Sequence, residues 1–397
     1  MTTKIYFDSA ATAKPHQEIL EKMKPFFQDN FGNPSGFHQF SHRAKKALNL
    51  AREKVANILG AQFEEIIFTS GGTESNNLAI FGAILANDKN IKQEILTTSV
   101  EHPSVLQPLQ NLPKNFTLKI LPVDSNGFLS PEIFLNSITE KTLFSSVIFT
   151  NNEIGTINPI EKLATIAKEK KIIFHTDACQ TPGIFKINLQ KLPIDLLSLN
   201  GAKIGGPRGT GILFKKKNIK LKPLFFGGNQ EFGLRSGTEN VAGAVGFAEA
   251  LEISQQNLIN KQKKFQNFQK KIVDFITAKI PAARLNGPLV GDNRSFLNLN
   301  FSFLNCEGES LVLALDHLGF ATATGSACAS EKLQISHVLS ALGLPHEIAH
   351  GSLRISFSPQ TTNEEIEKFL PVLKDTVEKI RKISSTNFST KDFPACF

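Results

Sequence analysis

The sequence is poor in the residues that mark membrane spans and disulfide frameworks. It has no tryptophan, one tyrosine, two methionines and four cysteines among 397 residues. No run of about 18 apolar residues is uninterrupted, which excludes a membrane-spanning helix. The cysteines form no CxxC pair and are far apart, at Cys179, Cys306, Cys328 and Cys396. Their spacing excludes a disulfide scaffold and indicates a reducing compartment.

An export signal is also missing. Residues 1–15 contain neither the apolar stretch of a secretory signal nor the arginine-rich amphipathic pattern of a transit peptide. We therefore expect a cytoplasmic protein.

The composition that is present is typical of a soluble globular protein. Hydrophobic residues make up 41% and charged residues 20%, which excludes disordered and collagen-like classes. At about 150 residues per domain, the length predicts two or three units. The 44 basic and 36 acidic residues leave a net charge of +8 that is spread along the chain. This excess permits an anionic partner such as tRNA, but compositional drift is the simpler interpretation and we do not expect direct nucleic-acid binding.

From about residue 42 to 215, apolar runs of strand length alternate with helical patterns. This alternation predicts a mostly parallel sheet covered by helices on both faces. The seven predicted strands cover residues 65–69, 93–98, 117–122, 143–150, 171–176, 196–199 and 211–214. Ligands bind at the carboxyl ends of such strands, so the residues that follow each strand are the first site candidates.

The second half of the chain has a different pattern. A long polar helical stretch over residues 239–280 precedes strands at 296–303 and 352–357 and helices at 309–318 and 363–383. The sequence therefore predicts an α/β protein with a large domain at residues 15–255. Residues 1–14 and 256–397 would form a smaller α+β domain that carries Cys328.

Small residues follow the first strand of the predicted sheet. The segment Ser70-Gly71-Gly72-Thr73-Glu74 leads directly into a helix, where backbone N–H groups, hydroxyls and the helix dipole can hold a phosphate. A Gly-Gly pair is also common in a simple strand-to-helix turn, so this segment alone leaves both interpretations open.

An acid and a lysine follow two further strands. Asp177 comes after the strand at 171–176, and Lys203 lies 26 residues later, before a glycine-rich segment. A lysine amine forms a Schiff base with pyridoxal phosphate, while a carboxylate keeps the pyridine nitrogen protonated. The pair alone is more typical of an exposed lysine near a capping aspartate. Together with the phosphate cradle, it favours pyridoxal phosphate.

Polar residues close two more strands at the same edge. His102 follows the strand at 93–98, where an imidazole can stack on a cofactor ring and move protons near neutral pH. A helix-capping histidine is the alternative interpretation. The segment Asn151-Asn152-Glu153-Ile154-Gly155 follows the strand at 143–150 and offers amide donors.

Two residues of the second half are candidates for sulfur chemistry and anion binding. Cys328 lies in a run of small residues outside any periodic pattern, which is more typical of a nucleophile on a flexible tether than of a core cysteine. Arg354 lies inside an apolar strand, where a charge is costly unless it is paired. A substrate carboxylate would be a suitable partner.

One segment matches the HExxH pattern of zinc proteases. It runs from His346 to His350, between Pro345 and Gly351, and no third histidine follows it. A short connecting helix is the favoured interpretation, and we expect no metal site.

Taken together, these motifs resemble those of the cysteine desulfurases that supply sulfur for iron-sulfur clusters and tRNA thiolation. The similarity extends over nearly the whole chain. Its motifs include Phe7 to Thr12, Phe31 to Ser35, Thr69 to Ser75, Glu101-His102, Asn151 to Gly155, Asp177 to Gln180, Lys203, Arg235 to Thr238, Gly325 to Cys328 and His350 to Ser356.

The resemblance implies the fold type I architecture of pyridoxal phosphate enzymes, a homodimer and a role for each matching residue. Lys203, Cys328 and His102 would be catalytic, with His102 stacked on the cofactor ring. The other cofactor-binding residues would be Asp177 at the ring nitrogen, Gln180 at the phenolic oxygen, Gly72 and Thr73 at the phosphate, Asn152, and Thr238 from the partner subunit. Arg354, Asn152 and Asn33 would bind the substrate.

The implied reaction converts L-cysteine to L-alanine through pyridoxal 5'-phosphate and leaves a persulfide on Cys328. The sulfur would pass to an acceptor protein of iron-sulfur assembly or tRNA thiolation. Selenocysteine lyase or another aminotransferase-like lyase is the alternative, and a non-catalytic paralogue is a further one.

One departure from the family pattern bears on the phosphate. Family members place a serine and a histidine in a Ser-Gly-His-Lys motif, whereas this chain has Asn200-Gly201-Ala202-Lys203. Gly205 also stands where an aromatic residue or histidine is common. We therefore expect the site to lack one phosphate donor and to bind the cofactor less tightly.

Overall fold

The computed structural model describes residues 4–87, 93–291, 293–325, 335–384 and 388. Its strands are β1 Ile5–Tyr6, β2 Ile66–Thr69, β3 Glu94–Thr98, β4 Thr117–Leu121, β5 Thr142–Ser146, β6 Ile173–Asp177, β7 Leu196–Asn200, β8 Gly211–Lys215, β9 Ala283–Leu285, β10 Asn298–Phe303, β11 Phe320–Ala321 and β12 Ser352–Ser356. Its helices are α1 Gln17–Met23, α2 Pro25–Gln28, α3 Gln39–Leu59, α4 Gly72–Leu85, α5 Pro103–Gln110, α6 Pro131–Ser137, α7 Ile160–Glu169, α8 Val241–Gln255, α9 Leu258–Lys279, α10 Gly308–His317, α11 His337–Ala341, α12 His346–Ala349 and α13 Asn363–Ile383. Short 3₁₀ turns lie at Phe63–Glu65, Gly201–Lys203 and Glu231–Gly233. None of the described helices is long and apolar enough to cross a membrane.

The central sheet has seven strands in the order β2-β8-β7-β6-β5-β3-β4. The strand β8 pairs antiparallel with β2 and β7, and all other neighbours pair in parallel. The prediction of a mostly parallel, seven-stranded sheet is confirmed. The carboxyl ends of β3, β5, β6 and β7 meet at one edge, where ligands bind in sheets of this type.

Successive side chains of the sheet strands enter two different apolar layers, because a strand alternates its faces with a period of two. Leu96 and Leu197 belong to a layer that includes residues of α3, α7 and α8. Their neighbours Ile95 and Leu196 belong to a layer that includes residues of α4 and α5. All four side chains are fully buried, and such burial contributes about 1.5–3 kcal/mol for each side chain. Helices therefore cover the sheet on both faces.

A second apolar core lies among the short sheets of the C-terminal half. The strands β9, β10 and β12 form an antiparallel sheet, and β1 pairs in parallel with β11. The side chains of this core come from these strands and from α9, α10 and α13. Phenylalanine dominates it, at Phe7, Phe265, Phe268, Phe296, Phe301, Phe303, Phe320, Phe357 and Phe369. Because Ile5 and Phe7 belong to this core, β1 and the segment after it pack with the C-terminal half.

The helical stretch expected over residues 239–280 consists of two helices with different surroundings. The helix α8 is largely buried in the same core as α3, so its predicted polar character was wrong. The helix α9 directs Phe265 and Ile272 into the second core. Between the helices, Asn257 has a left-handed backbone with a φ of 53°. The helix α8 ends at Gln255, because Gln256 is extended, and α9 begins after Asn257.

Candidate active site

A cavity of about 220 Å³ opens at the edge of the sheet where the parallel strands end. Most residues that the sequence singled out line it: Gly72, Thr73, His102, Asn152, Asp177, Gln180, Lys203 and Arg354. The other described residues of its wall are Ala10, Ala11, Ser104, Ile148, Cys179 and Asn200. The fold thus brings together segments that are distant in sequence.

Asp177 is the last residue of β6 and is almost fully buried. Its Oδ2 accepts a hydrogen bond from Asn76 Nδ2 at 2.7 Å, and its Oδ1 accepts one from the Cys179 backbone N–H at 3.0 Å. These two bonds fix the orientation of the carboxylate at the cavity. A carboxylate held in this way can bind a protonated ring nitrogen.

Lys203 ends the 3₁₀ turn that follows β7. Its Nζ donates a hydrogen bond to the carbonyl oxygen of Ala11 at 2.6 Å. Burial is the main cause that lowers the pKa of Lys203 from its ordinary value. The lowered pKa increases the fraction of neutral amine, which is the form that can attack an aldehyde.

His102 caps the N-terminus of α5 and also lines the cavity. Its Nδ1 accepts the backbone N–H of Ser104 at 3.0 Å and lies 2.7 Å from Ser104 Oγ. Burial lowers the pKa of His102 from its ordinary value, so the ring is neutral at physiological pH. His102 therefore both caps a helix and lines the cavity, although the sequence analysis treated these two interpretations as alternatives.

The first residues of α4 form a narrow floor of the cavity. A Cβ on Gly72 would lie 2.6 Å from Cys179 Sγ and 3.5 Å from Asn200 Nδ2, so only glycine fits there without a shift. The backbone N–H groups of a first helical turn have no partners within the helix and can bind an anion. Thr73 adds a hydroxyl to this wall.

Asn200, rather than Ala202, belongs to the cavity wall. Asn200 Oδ1 accepts the backbone N–H of Ala202 at 3.1 Å. Because the oxygen of the amide is committed to this bond, its Nδ2 is the atom next to α4. The side chain of Asn200 can therefore supply a hydrogen-bond donor that the sequence pattern had led us to regard as missing.

Arg354 lies in β12 and is 1% exposed. Its Nη2 donates to Asp8 Oδ1 at 2.7 Å and its Nη1 to the carbonyl oxygen of Asn152 at 3.2 Å. Its Nε has no hydrogen-bond partner among the described residues. The buried charge that the sequence analysis assigned to a substrate carboxylate thus has an internal partner, Asp8.

Three further predicted residues take different places. Gln180 lines the cavity, and its Nε2 donates to the carbonyl oxygen of Ala10 at 2.8 Å. Asn33 is exposed outside the cavity wall, and its Oδ1 accepts the backbone N–H of Ser35. Thr238 is also exposed and lines a separate cavity of about 270 Å³. Within this chain, Asn33 and Thr238 are not brought to Lys203.

Cys328 and Cys396 lie outside the described residues. The two described cysteines, Cys179 and Cys306, are free and buried. Burial raises the pKa of Cys179 well above its ordinary value and that of Cys306 to about 11. Neither thiol is therefore ionised near neutral pH, although the thiolate is the reactive form.

The HExxH segment forms the short helix α12, as the sequence favoured. The rings of His346 and His350 have centroids 5.7 Å apart. Within the ranges that the structure describes, no group of three or more histidine, cysteine or acidic side chains is placed to hold a metal ion.

Sequence reasoning missed three residues that contact the predicted ones. Asn76 lies one turn after Gly72 in α4, so helical spacing could have placed it near the same edge. Ser104 is two residues after His102 at the start of α5, where hydroxyl side chains commonly bond to caps. Asp8 belongs to the motif Phe7 to Thr12 but was given no role, because only the fold brings the segment after β1 beside β12.

The chemistry of this wall fits pyridoxal phosphate. The floor at Gly72 with its helix N-terminus suits a phosphate, Asp177 suits the ring nitrogen, and Lys203 offers an amine for the aldehyde. A Cβ on Gly72 would intrude on Cys179 Sγ, so the packing of this wall restricts position 72 to glycine.

Comparisons with known proteins agree with this geometry. The sequence pattern of the family Aminotransferase class-V matches residues 5–369. The chain is 46% identical to the cysteine desulfurase IscS of Clostridium botulinum (strain Hall) over 385 residues, which is 97% of each protein. A solved NifS-like protein superimposes with a TM-score of 0.89 at 36% identity, covering 95% of this chain and 100% of that one. A structure described as SspA in complex with cysteine gives a TM-score of 0.79 at 35% identity, with 91% and 100% coverage. The chain therefore belongs to the class-V aminotransferase family.

Proposed function

We propose that this chain is a cysteine desulfurase that uses pyridoxal phosphate to convert L-cysteine to L-alanine and places the sulfur on Cys328. The observation that carries the proposal is the convergence of Lys203, Asp177, His102 and Arg354 on one cavity. Relatives that share 46% of their residues over nearly the full length have the name cysteine desulfurase. One structural neighbour is described in complex with cysteine.

The cofactor would be held by the groups that already surround the cavity. When bound, pyridoxal phosphate supplies an aldehyde for the amine and a ring that accepts negative charge from the substrate. Lys203 would hold the aldehyde, Asp177 the ring nitrogen and Gln180 the phenolic oxygen. The first turn of α4, with Thr73 and Asn200, would hold the phosphate.

The substrate would be oriented by its carboxylate and deprotonated at its α-carbon. Arg354 offers the positive charge of its guanidinium, and the Asn152 side chain offers an amide at the same wall. The Nζ of Lys203, with its lowered pKa, can accept a proton once its amine is free. Because the ring of His102 is neutral, it adds no positive charge beside Lys203 and Arg354.

The sulfur step moves one atom between two thiols. The Cys328 sulfur attacks the sulfur of the substrate, an S–S bond forms as the C–S bond breaks, and the carbon skeleton leaves as alanine. In total, L-cysteine and a thiol give L-alanine and a persulfide. The buried, protonated states of Cys179 and Cys306 support Cys328 as the acceptor.

We propose that the protein is a cytoplasmic homodimer whose partner subunit contributes Thr238 to the phosphate site. Large apolar side chains are exposed near the chain start and before Thr238, with Phe31 at 67%, Phe37 at 97% and Phe226 at 86%. Exposed aromatic groups of this size are typical of protein interfaces. The acceptors of the sulfur would be proteins of iron-sulfur assembly or tRNA thiolation.

We further propose a large domain at residues 15–255 and a small domain formed by residues 1–14 and 256–397. The places of α8 and α9 support this division, because α8 packs against the central sheet and α9 packs in the second core. The cavity draws its wall from both parts, with Lys203 from one and Arg354 from the other.

The decisive experiment incubates the purified protein with L-cysteine and measures alanine and protein-bound persulfide together. The wild-type protein should form both, with the persulfide on a peptide that contains Cys328. The Cys328→Ser variant should still change the cofactor absorbance on adding L-cysteine but form no persulfide. The matched Cys396→Ser variant should behave like the wild type.

A second variant tests the cofactor itself. The wild-type protein should be yellow, and borohydride should fix the cofactor covalently to Lys203. The Lys203→Ala variant should lose that attachment. A colourless protein that stays colourless with added pyridoxal phosphate, or a persulfide found on Cys179, Cys306 or Cys396, would contradict the assignment.

A further inference from the structure

A chain of hydrogen bonds joins the carboxylate of Asp177 to the ring of His102. Asn76 Nδ2 lies 2.7 Å from Asp177 Oδ2 and 2.9 Å from Ser104 Oγ. Ser104 Oγ in turn lies 2.7 Å from His102 Nδ1. Asn76 is fully buried and Ser104 is 8% exposed, so these bonds are protected from competing water.

In this series of hydrogen bonds, the group at each step determines which atom of the next residue donates. The carboxylate of Asp177 only accepts hydrogen bonds, so the atom of Asn76 that faces it is the amide nitrogen. The same nitrogen donates to Ser104 Oγ, so the hydroxyl proton of Ser104 is directed to His102 Nδ1. The backbone N–H of Ser104 also points to Nδ1, at 3.0 Å. The Nδ1 atom therefore faces two donors and carries no proton.

We infer that Asn76 and Ser104 are positioning residues that hold His102 as the neutral tautomer protonated at Nε2, with Nδ1 as the acceptor. The inference rests on the proposed function, since it concerns the same site. Its consequence is that the resting site contains an imidazole whose remaining nitrogen is a hydrogen-bond donor. His102 then cannot accept a proton at Nε2, and a proton accepted at Nδ1 would break the bonds to Ser104.

Some charged neighbours of His102 raise its pKa and others lower it. Asp177 on β6 and Glu153 after β5 favour a positive ring, whereas Lys203 after β7 and His337 on α11 disfavour it. Burial outweighs them and lowers the pKa of His102. The N-terminus of α5, which His102 caps, adds a positive partial charge and acts in the same direction as burial.

The test is nitrogen NMR of the holoenzyme labelled with ¹⁵N-histidine, with the His102 signals assigned by their loss in a His102→Gln variant. Nitrogen chemical shifts distinguish protonated from unprotonated ring atoms. At pH 7 the wild-type ring should carry its proton on Nε2 and none on Nδ1. A proton on Nδ1, or a doubly protonated ring, would overturn the inference.

The Ser104→Ala variant tests the role of the hydroxyl. Loss of one neutral hydrogen bond should raise the pKa of His102 by about 0.5 to 1 unit, a threefold to tenfold change in proton affinity. The acid limb of the pH profile of kcat/KM for L-cysteine should shift to higher pH by the same amount. Asn76→Ala should act in the same direction, because the Ser104 hydroxyl loses the donor that orients it.

Two further variants separate positioning from a general structural effect. Ser104→Thr keeps a hydroxyl and should retain the wild-type tautomer and pKa. Ser130→Ala removes a serine that caps α6 in a comparable way, at Glu132 N–H, and should leave both unchanged. If Ser104→Ala leaves the pKa and tautomer unaltered, the proposed role of Ser104 is wrong.

The NMR measurement of the tautomer does not depend on turnover. If wild-type protein binds the cofactor but forms no alanine from L-cysteine, the proposed function fails while the tautomer is still read from the spectra. If alanine forms and the ring is protonated at Nδ1, the proposed function stands and this inference fails.

Discussion

Alanine at position 72 should weaken cofactor binding, because the floor of the cavity has no room for a side chain. A Cβ on Gly72 would lie 2.6 Å from Cys179 Sγ, below the 3.0 Å that real Cβ contacts respect. Cys179 is itself held, since its N–H donates to Asp177 Oδ1 and its Sγ lies 3.8 Å from the carbonyl oxygen of Ser198. Either this segment or the first turn of α4 must therefore shift.

The size of the effect follows from two opposing contributions. Overpacking a buried site costs about 1–3 kcal/mol. Alanine is a better helix former than glycine by up to about 1 kcal/mol, and the gain is smaller at a helix end than in its interior. The steric cost is therefore the larger contribution. If the steric cost falls on the phosphate floor, the affinity for pyridoxal phosphate should fall by up to about 150-fold, the value for about 3 kcal/mol with no helix gain.

The assay is a titration of the apoprotein with pyridoxal phosphate, followed by visible absorbance. A double-mutant cycle identifies the clash: in a Cys179→Ala background the sulfur is absent, so Gly72→Ala should cost little. Gly228→Ala is the matched control, because the atoms nearest to its Cβ belong to the side chain of Gln230. An equal loss of affinity with and without the Cys179 sulfur, or no loss at all, would refute the steric argument.

Two further predictions concern buried charges. Burial raises the pKa of Glu101 from its ordinary 4.5 to about 8, so unfolding releases a proton between these values and stability falls as pH rises, by up to about 5 kcal/mol. Glu101→Gln should therefore be more stable relative to the wild type at pH 8.5 than at pH 5 in urea unfolding, and a difference independent of pH would contradict the raised pKa. Asp8→Asn removes the ionic partner of Arg354, so it should destabilise the protein by about 1–3 kcal/mol and lower the KM for L-cysteine, since the guanidinium charge is no longer neutralised. A higher KM with unchanged stability would show that Asp8 supports substrate binding instead of competing with it.

The periodic elements could be predicted because burial imposes their pattern. The helix expected at residues 363–383 has the same bounds as α13, whose apolar stripe faces the second core and whose capping box joins Thr362 and Glu365. The expected strand at 143–150 is regular only up to Ser146. The apolar pattern continues because Val147 and Phe149 remain buried and still bond to the backbone of β6, outside the regular ladder.

The polar partners of the site could not be predicted in the same way. Asn76 meets Asp177 and Asp8 meets Arg354 across long separations in the chain. A polar residue in an apolar segment indicates that its side chain has a hydrogen-bond partner in the fold. The sequence does not identify that partner, because the packing of whole helices and strands determines which side chains meet. Strand ends could be assigned to one edge from topology alone, and this is why most candidate residues were found.

The departure at Ala202 shows how local geometry changes the interpretation of a motif. Residues 201–203 form a 3₁₀ turn, in which side chains three positions apart lie on the same face. Asn200 and Lys203 therefore share the cavity wall, whereas Ala202 does not belong to it and its carbonyl oxygen accepts the Ala13 N–H. Comparison with the family position by position treats the alanine as the loss of a phosphate donor. In the folded chain, Asn200 can supply a hydrogen-bond donor to the cavity wall. Its amide is oriented because its Oδ1 accepts the Ala202 N–H. An alanine at position 202 retains that N–H, so the substitution leaves the orientation of the amide intact.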